Sequence, residues 1–229
     1  MLSTKDVVEN QGGGLPKTIT PGKNTLKINS IELKRFPFME SDNGYFLFMN
    51  TETKPIDGFE GFLIDVNDES KGRYKGQIGQ VKTNRYFYKD GETKSGIKVS
   101  RDMEILKQLK TLCKASGCLD WFTNADGKYE TIEDFVEGFN NDKPFEDIYF
   151  DMVIAGKEFE RQKSAYVGYD LFLPKGQKGK VVMEKAESPN SKLLEFDEDK
   201  MWIKLQPKDL DNGFDDGSSA IANAPEFDL

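Results

Sequence analysis

From Asn24 to Phe36 the chain reads NTLKINSIELKRF, an alternation of apolar and polar residues whose parity changes halfway. Leu26 and Ile28 occupy one set of alternate positions, Ile31 and Leu33 the other. Successive strand residues face opposite sides of a sheet, so an unbroken strand would turn one of these pairs into water. A long strand with a bulge or a bend keeps all four on one face, and this is the conformation expected here.

Further strands are expected on the same grounds. Tyr45–Asn50 is a short aromatic one after the turn Asp42-Asn43-Gly44, and Phe59–Val66 is a third after Asp57-Gly58. A polar loop, Asp68–Gly76, leads into a basic strand over Gln77–Lys89, which Asp90-Gly91 is expected to close against Ile97–Ser100. A helix capped by Ser100 or Asp102 and stopped by Gly117 carries Met103, Leu106, Leu109 and Cys113 at helical spacing, with Ile105 and Leu112 widening the stripe. A second fits Thr131–Phe139, with Thr131 as cap and Ile132, Phe135, Val136 and Phe139 on one face. Ile148–Gly156 and Tyr166–Leu173 are strands joined by KEFERQKS, and Val181–Met183 and Met201–Leu205 are short edge strands. Trp121 and Trp202 are expected inside.

This order predicts a mainly β fold with two inserted helices (about 101–140), an OB-fold-like five-stranded Greek-key barrel over residues 21–206. A β-sandwich with helical insertions is the competing architecture. Residues 1–20, with Gly12-Gly13-Gly14 and Pro16, read as an N-terminal arm. Residues 207–229 hold too little apolar area to offset chain ordering and are expected to be a disordered acidic tail.

Charge is segregated. The net of −8 is made of −4 over residues 1–70, +8 over 71–114, −6 over 115–208 and −6 over 209–229. In the basic stretch, Arg73, Lys75, Lys82, Arg85, Lys89, Lys94 and Lys98 are interleaved with Tyr74, Tyr86, Phe87 and Tyr88. Cations neutralise phosphates and flat rings stack on bases that a duplex hides, so this mixture points to single-stranded nucleic acid. In strand alternation Gln80, Lys82, Asn84, Tyr86 and Tyr88 would share one face as a stacking platform. Phe36 and Phe38, flanking Pro37 beside Lys34 and Arg35, are a second candidate stacking site or a piece of core. Arg161 and Lys163 fall in the late hairpin loop, where Glu158 and Glu160 dilute them, and Tyr166 and Tyr169 lie on opposite strand faces.

Several chemistries are unsupported. With no histidine there is no Ser-His-Asp or Cys-His nucleophile and no histidine-held metal. No phosphate-binding glycine loop is present, and Cys113 and Cys118 read as reduced thiols, too few for a zinc site. Asp65, Asp68 and Glu69 are the close acid cluster beside the basic region and read as a solvated loop, although a metal-dependent nuclease would use such a group. A non-enzymatic protein without metal or cofactor is therefore expected. With no signal-peptide pattern and no membrane-length apolar run, its expected place is the cytoplasm, the host's if the gene is a phage's.

Taken together, the stretches FEGFLIDVNDESKGRYKGQIGQV and DGETKSGIKVSRDMEILKQLKTL and the acidic tail resemble single-stranded DNA-binding proteins of phages and bacteria, most closely those of crAss-like bacteriophages. The resemblance spans roughly residues 20–175 and the tail. It implies coating of exposed strands during replication and recombination, and recruitment of replication proteins through the tail, with self-association compatible. Asp215, Asp216, Glu226, Phe227, Asp228 and Leu229 would form the docking segment, with Phe227 as anchor. Bacterial tails usually end on the aromatic itself, whereas Asp228 and Leu229 follow here. The tail could equally compete with DNA for the basic surface. The rival readings are a virion structural or assembly protein that binds other proteins, and an RNA binder.

Overall fold

The computed structural model describes residues 18–160, 167–175 and 181–205. The expected arm up to residue 17, Arg161, Lys163, Tyr166 and the whole tail lie outside the described residues.

The protein is mainly β, with a sheet of several strands and four helices among the described residues. β1 (Gly22–Lys34) is the long strand expected from the alternation. Its register against β2 (Phe46–Thr53) shifts between Ile28 and Ser30, at the parity change, and Leu26, Ile28 and Ile31 are all buried. β2 follows a strict alternation: Leu47, Met49 and Thr51 point into the core, Phe46, Phe48 and Asn50 away from it. The expected third strand is much shorter. β3 (Phe62–Leu63) and β4 (Arg73–Tyr74) form a separate two-stranded ladder at the end of a long hairpin, because five of the nine intervening residues are Asp, Asn, Ser or Gly, which favour turns.

β5 (Ile78–Lys82) pairs antiparallel with β2. β6 (Gly91–Glu92) and β7 (Lys98–Val99) form a small exposed hairpin. Its turn lies at Thr93–Gly96 and not at Asp90-Gly91, with Gly96 at the positive φ of 81°. Asp90 serves instead as a helix cap: its carboxylate accepts from the Arg101 N–H at 2.9 Å. α1 (Arg101–Ser116) ends at Gly117 in the left-handed conformation, as expected. Its buried stripe is Ile105, Leu109, Leu112 and Cys113, whereas Met103 is exposed. A short α2 (Leu119–Asn124), not foreseen, is followed by α3 (Ile132–Asp142), where Thr131 caps and Ile132, Phe135, Val136 and Phe139 are buried as expected. Three helices thus separate β5 from β8, where two were expected.

β8 (Tyr149–Glu160) is the hub. Its first half lies between β1 and β10 (Met183–Lys185), both antiparallel to it. Its second half pairs antiparallel with β9 (Val167–Phe172) and parallel with the short β11 (Trp202–Ile203), which follows α4 (Glu198–Met201). β9 in turn lies parallel to β5. The succession β1-β2-β5-β9-β8 therefore comes back to β1. Where β8 ends, beyond the pair Lys27–Tyr149, β1 would expose backbone groups. The Asn140 amide of α3 takes the place of a strand there, accepting from the Ile31 N–H and donating to its carbonyl, both at 2.8 Å.

One apolar core joins the inner strand faces to α1 and α3, with Leu26, Met49, Val81, Ile105, Leu109, Phe150, Met152 and Ile154 fully covered. Ile19 is also fully buried. Trp121 and Trp202, expected inside, are only half-buried: their indole N–H groups donate to Asp142 and Glu158 at the surface. Among the described residues no buried side-chain polar atom lacks a partner, and no helix is long and apolar enough to cross a membrane.

Tyr88 belongs to this core, 6% exposed, its hydroxyl 2.8 Å from that of Thr83. Burial pushes the Tyr88 hydroxyl up from 10.0 to about 12. The unfolded chain ionises this group near its ordinary value while the folded protein keeps it protonated. The stabilisation is complete below pH 10.0 and is lost as pH rises to about 12. The loss is about 3 kcal/mol. Denaturant titrations across this range should show it in the wild type and not in Tyr88→Phe; parallel curves for the two would contradict it.

Candidate nucleic-acid interface

The basic strand expected to run to Lys89 stops at Lys82. Two pairings to the β2 side explain why. The Thr83 N–H donates to the Leu47 carbonyl, and Tyr88 and Tyr45 exchange both backbone bonds at 2.8 and 2.9 Å. Between these points the β2 side advances by two residues and the basic segment by five, so Asn84, Arg85, Tyr86 and Phe87 are extruded as a loop. The Thr83–Tyr88 hydroxyl bond closes its base. The expected platform of Tyr86 beside Tyr88 does not form. Tyr88 turns into the core and Tyr86 is 67% exposed.

The outward face of the sheet carries a different platform. Phe46 and Phe48 of β2 lie 5.9 Å apart, centroid to centroid. Phe87 comes down from the extruded loop to within 5.9 Å of Phe46, edge to face. It fits closely because Gly44 has no side chain: a Cβ there would lie 2.5 Å from the Phe87 ring. Phe36 and Phe38 complete the group from the turn after β1, parallel to one another at 5.8 Å, with Phe36 against Phe46 and Phe38 against Phe87. Phe36 is 37% and Phe38 67% exposed.

Cations lie over these rings. Lys34 Nζ is 5.1 Å from the centroid of Phe48, Lys82 Nζ 4.8 Å from Phe46, and Lys89 Nζ 5.7 Å from Phe87. The Arg85 guanidinium lies over both Tyr86 and Phe172. Lys82 is itself buried and ion-paired with Asp170 at 2.8 Å, and Lys34 pairs with Glu32 at 3.2 Å. Next to Phe48 the face turns polar, with Gln80 bonded to Lys34, Glu32 and Asn50. Behind the extruded loop a cleft of about 760 Å³ opens between Phe87, Lys89, Gln108 of α1 and Lys175.

The turn that carries Phe36 and Phe38 is anchored by Tyr45, whose ring lies between the guanidinium groups of Arg35 and Arg101 at 4.5 and 4.7 Å. Its hydroxyl donates to Glu133 at 2.6 Å, and this bond with burial raises the Tyr45 hydroxyl above its ordinary range. The Arg101 guanidinium donates to the Asn43 carbonyl, so α1 and α3 both hold the turn.

Of the residues singled out from sequence, Lys82, Arg85, Tyr86 and Lys89 are brought to this face or its rim. Arg73, Tyr74 and Lys75 lie on the separate β3–β4 hairpin, with Arg73 donating to the Gly61 carbonyl. Lys94 and Lys98 are exposed on the β6–β7 hairpin. Asp65, of the acid cluster, accepts from Lys71 at 2.8 Å, which holds its carboxyl below the usual range. Among the described residues no group of three His, Cys, Asp or Glu is placed to hold a metal. Phe46, Phe48 and Phe87 were not foreseen as site residues. The signal for the first two was present, since Phe46-Leu47-Phe48-Met49 puts both rings on one strand face.

Comparison with family models, with curated proteins and with solved structures returned no match.

Proposed function

We propose that this chain binds single-stranded DNA without strong sequence preference, on the outward face of β1, β2 and β5, and that its closed succession of strands is an OB-fold-like five-stranded Greek-key barrel. Three features support the barrel reading: the return of the pairings to β1, the parallel pair β5–β9 and the helices between β5 and β8. The observation that carries the binding reading is the group of five phenylalanines with lysines over its rings. Bases stack on such rings only when unpaired, while the exposed cations at the rim, Arg85 and Lys89, attract phosphates of any sequence. The role is a non-enzymatic coat on exposed strands, with the acidic segment 209–229 recruiting partners or competing with DNA.

Equilibrium binding of labelled oligonucleotides to the full chain tests this. Expected are tight binding of the single strand, weak binding of the duplex, and affinity that falls as salt rises. Equal affinity for duplex and single strand, or no binding by the folded protein, would overturn the reading. Removing residues 209–229 should tighten binding at low salt and leave it unchanged at high salt, where charge competition is screened. An unchanged affinity at both salts removes the competition.

A second reading has one observation in its favour. The β3–β4 hairpin exposes Ile64 (45%) and Val66 (79%), apolar surface suited to a protein partner in a virion or assembly role. Self-assembly lost in Ile64→Ser with Val66→Ser, without any retention on single-stranded DNA, would favour it.

A further inference from the structure

The two cysteines lie outside the proposed interface, at the corner between α1 and α2, and the fold brings them together. The chain leaves α1 through a reversal in which the Cys118 N–H donates to the Cys113 carbonyl at 2.9 Å and the Gly117 N–H to that of Lys114 at 3.3 Å. This cap sets the fourth-last residue of the helix beside the second residue past its end, so side chains there meet. Here both are thiols, and Ser116 lies between them, its hydroxyl donating to the Cys113 carbonyl at 3.0 Å. The Ser116 hydroxyl lies 2.8 Å from the Cys118 Sγ. The two sulfurs differ in surroundings: Cys113 is fully buried and Cys118 only half so.

We infer that Cys113 and Cys118 form a peroxide-sensitive dithiol, with Cys118 as the attacking sulfur and Cys113 as the resolving one. Cys113 beside it, with help from Ser116, lowers the Cys118 thiol, whereas the neighbouring Cys118 and burial push Cys113 up. Cys118 is therefore the sulfur that ionises first, and it is the one a solute reaches. Its thiolate attacks one oxygen of a hydroperoxide. The S–O bond forms, the O–O bond breaks, and the leaving alkoxide takes a proton to depart as alcohol, or as water from hydrogen peroxide. The Cys113 sulfur then attacks the sulfenic sulfur of Cys118. The S–S bond forms, the S–O bond breaks, and hydroxide leaves with the Cys113 proton as water. The peroxide gains two electrons and the dithiol loses two. The crosslink fixes the corner from which α2 sets Trp121 and Phe122 against Phe135 of α3.

The test is intact-mass measurement of the full chain, under non-reducing conditions, after a stoichiometric amount of hydrogen peroxide. The wild type should lose two hydrogens and both titratable thiols, reversibly with dithiothreitol, and peptide mapping should join Cys113 to Cys118. Cys113→Ser should stop at a Cys118 sulfenic acid captured by dimedone, and Cys118→Ser should not react. Three wild-type outcomes would overturn the inference: oxygen added at either cysteine with no internal bond, a crosslink between two chains, or both thiols surviving after free cysteine in the same solution is consumed. The wild-type result decides without either variant, so a poorly folding Cys113→Ser does not blunt the test.

Discussion

Replacing Phe38 and Phe48 together with alanine weakens single-stranded DNA binding by about thirtyfold to 10⁴-fold, at about 1 to 3 kcal/mol for each stacked base. Phe38 is two-thirds exposed, and neither ring belongs to the buried core. The double variant therefore keeps the wild-type melting temperature within a few degrees. The cations are unchanged, so the salt slope of the remaining binding stays the same: the rings supply the non-electrostatic part and the lysines the rest. Equilibrium titrations of wild type and variant over a range of salt separate these parts. An unchanged affinity in a folded variant would move the binding site off this face.

Tyr88→Ala has the opposite signature. It empties a buried aromatic site and takes the Tyr88 hydroxyl from Thr83, which keeps only its longer bond to the Leu47 carbonyl. Truncation of a buried aromatic ring costs about 3 to 5 kcal/mol, a large share of the stability of an ordinary domain. Chemical denaturation should report a loss of that size, whereas Tyr88→Phe, which keeps the ring, should bind DNA like the wild type. Were Tyr88 a stacking residue, alanine would spare stability and abolish binding. The pair of variants distinguishes a core tyrosine from an interface one.

How far the molecule could be read from its residues varies by element. The bulge in β1 was legible because burial leaves its mark on every second residue, and a parity change has few other causes. The buried face of α3 was legible for the same reason at helical spacing. The loop Asn84–Phe87 was not. In isolation Gln77–Lys89 alternates like one strand, and what bends it is Tyr45, some forty residues earlier, pairing with Tyr88. Such a partner has no local trace. The same bend shapes the proposed interface: it takes Tyr88 away from the solvent and brings Phe87 onto Phe46, across the space that Gly44 leaves.

Charge drew the sequence reading to the basic run and to the rings within it. The basic run gave weight to tyrosines near it in sequence, while the phenylalanines that gather on the sheet come from the turn after β1, from β2 and from the extruded loop. Phe36 and Phe38 were weighed as core or as a second site, and their exposure beside Phe46 and Phe87 decides for the surface. The short α2 was missed because its six residues include Asp, Thr and Asn, poor helix formers whose helicity depends on Trp121 and Phe122 packing against α3.

The central claim, that unpaired bases lie on the phenylalanine face, is tested most directly by photocrosslinking. A bound thymine oligonucleotide is irradiated on the full chain and its adducts are located by peptide mass spectrometry. The account predicts adducts on Phe36, Phe38, Phe46, Phe48 or Phe87, with none on α1 or α3. Adducts confined to the β3–β4 hairpin or the helices, with these five rings untouched, would contradict it.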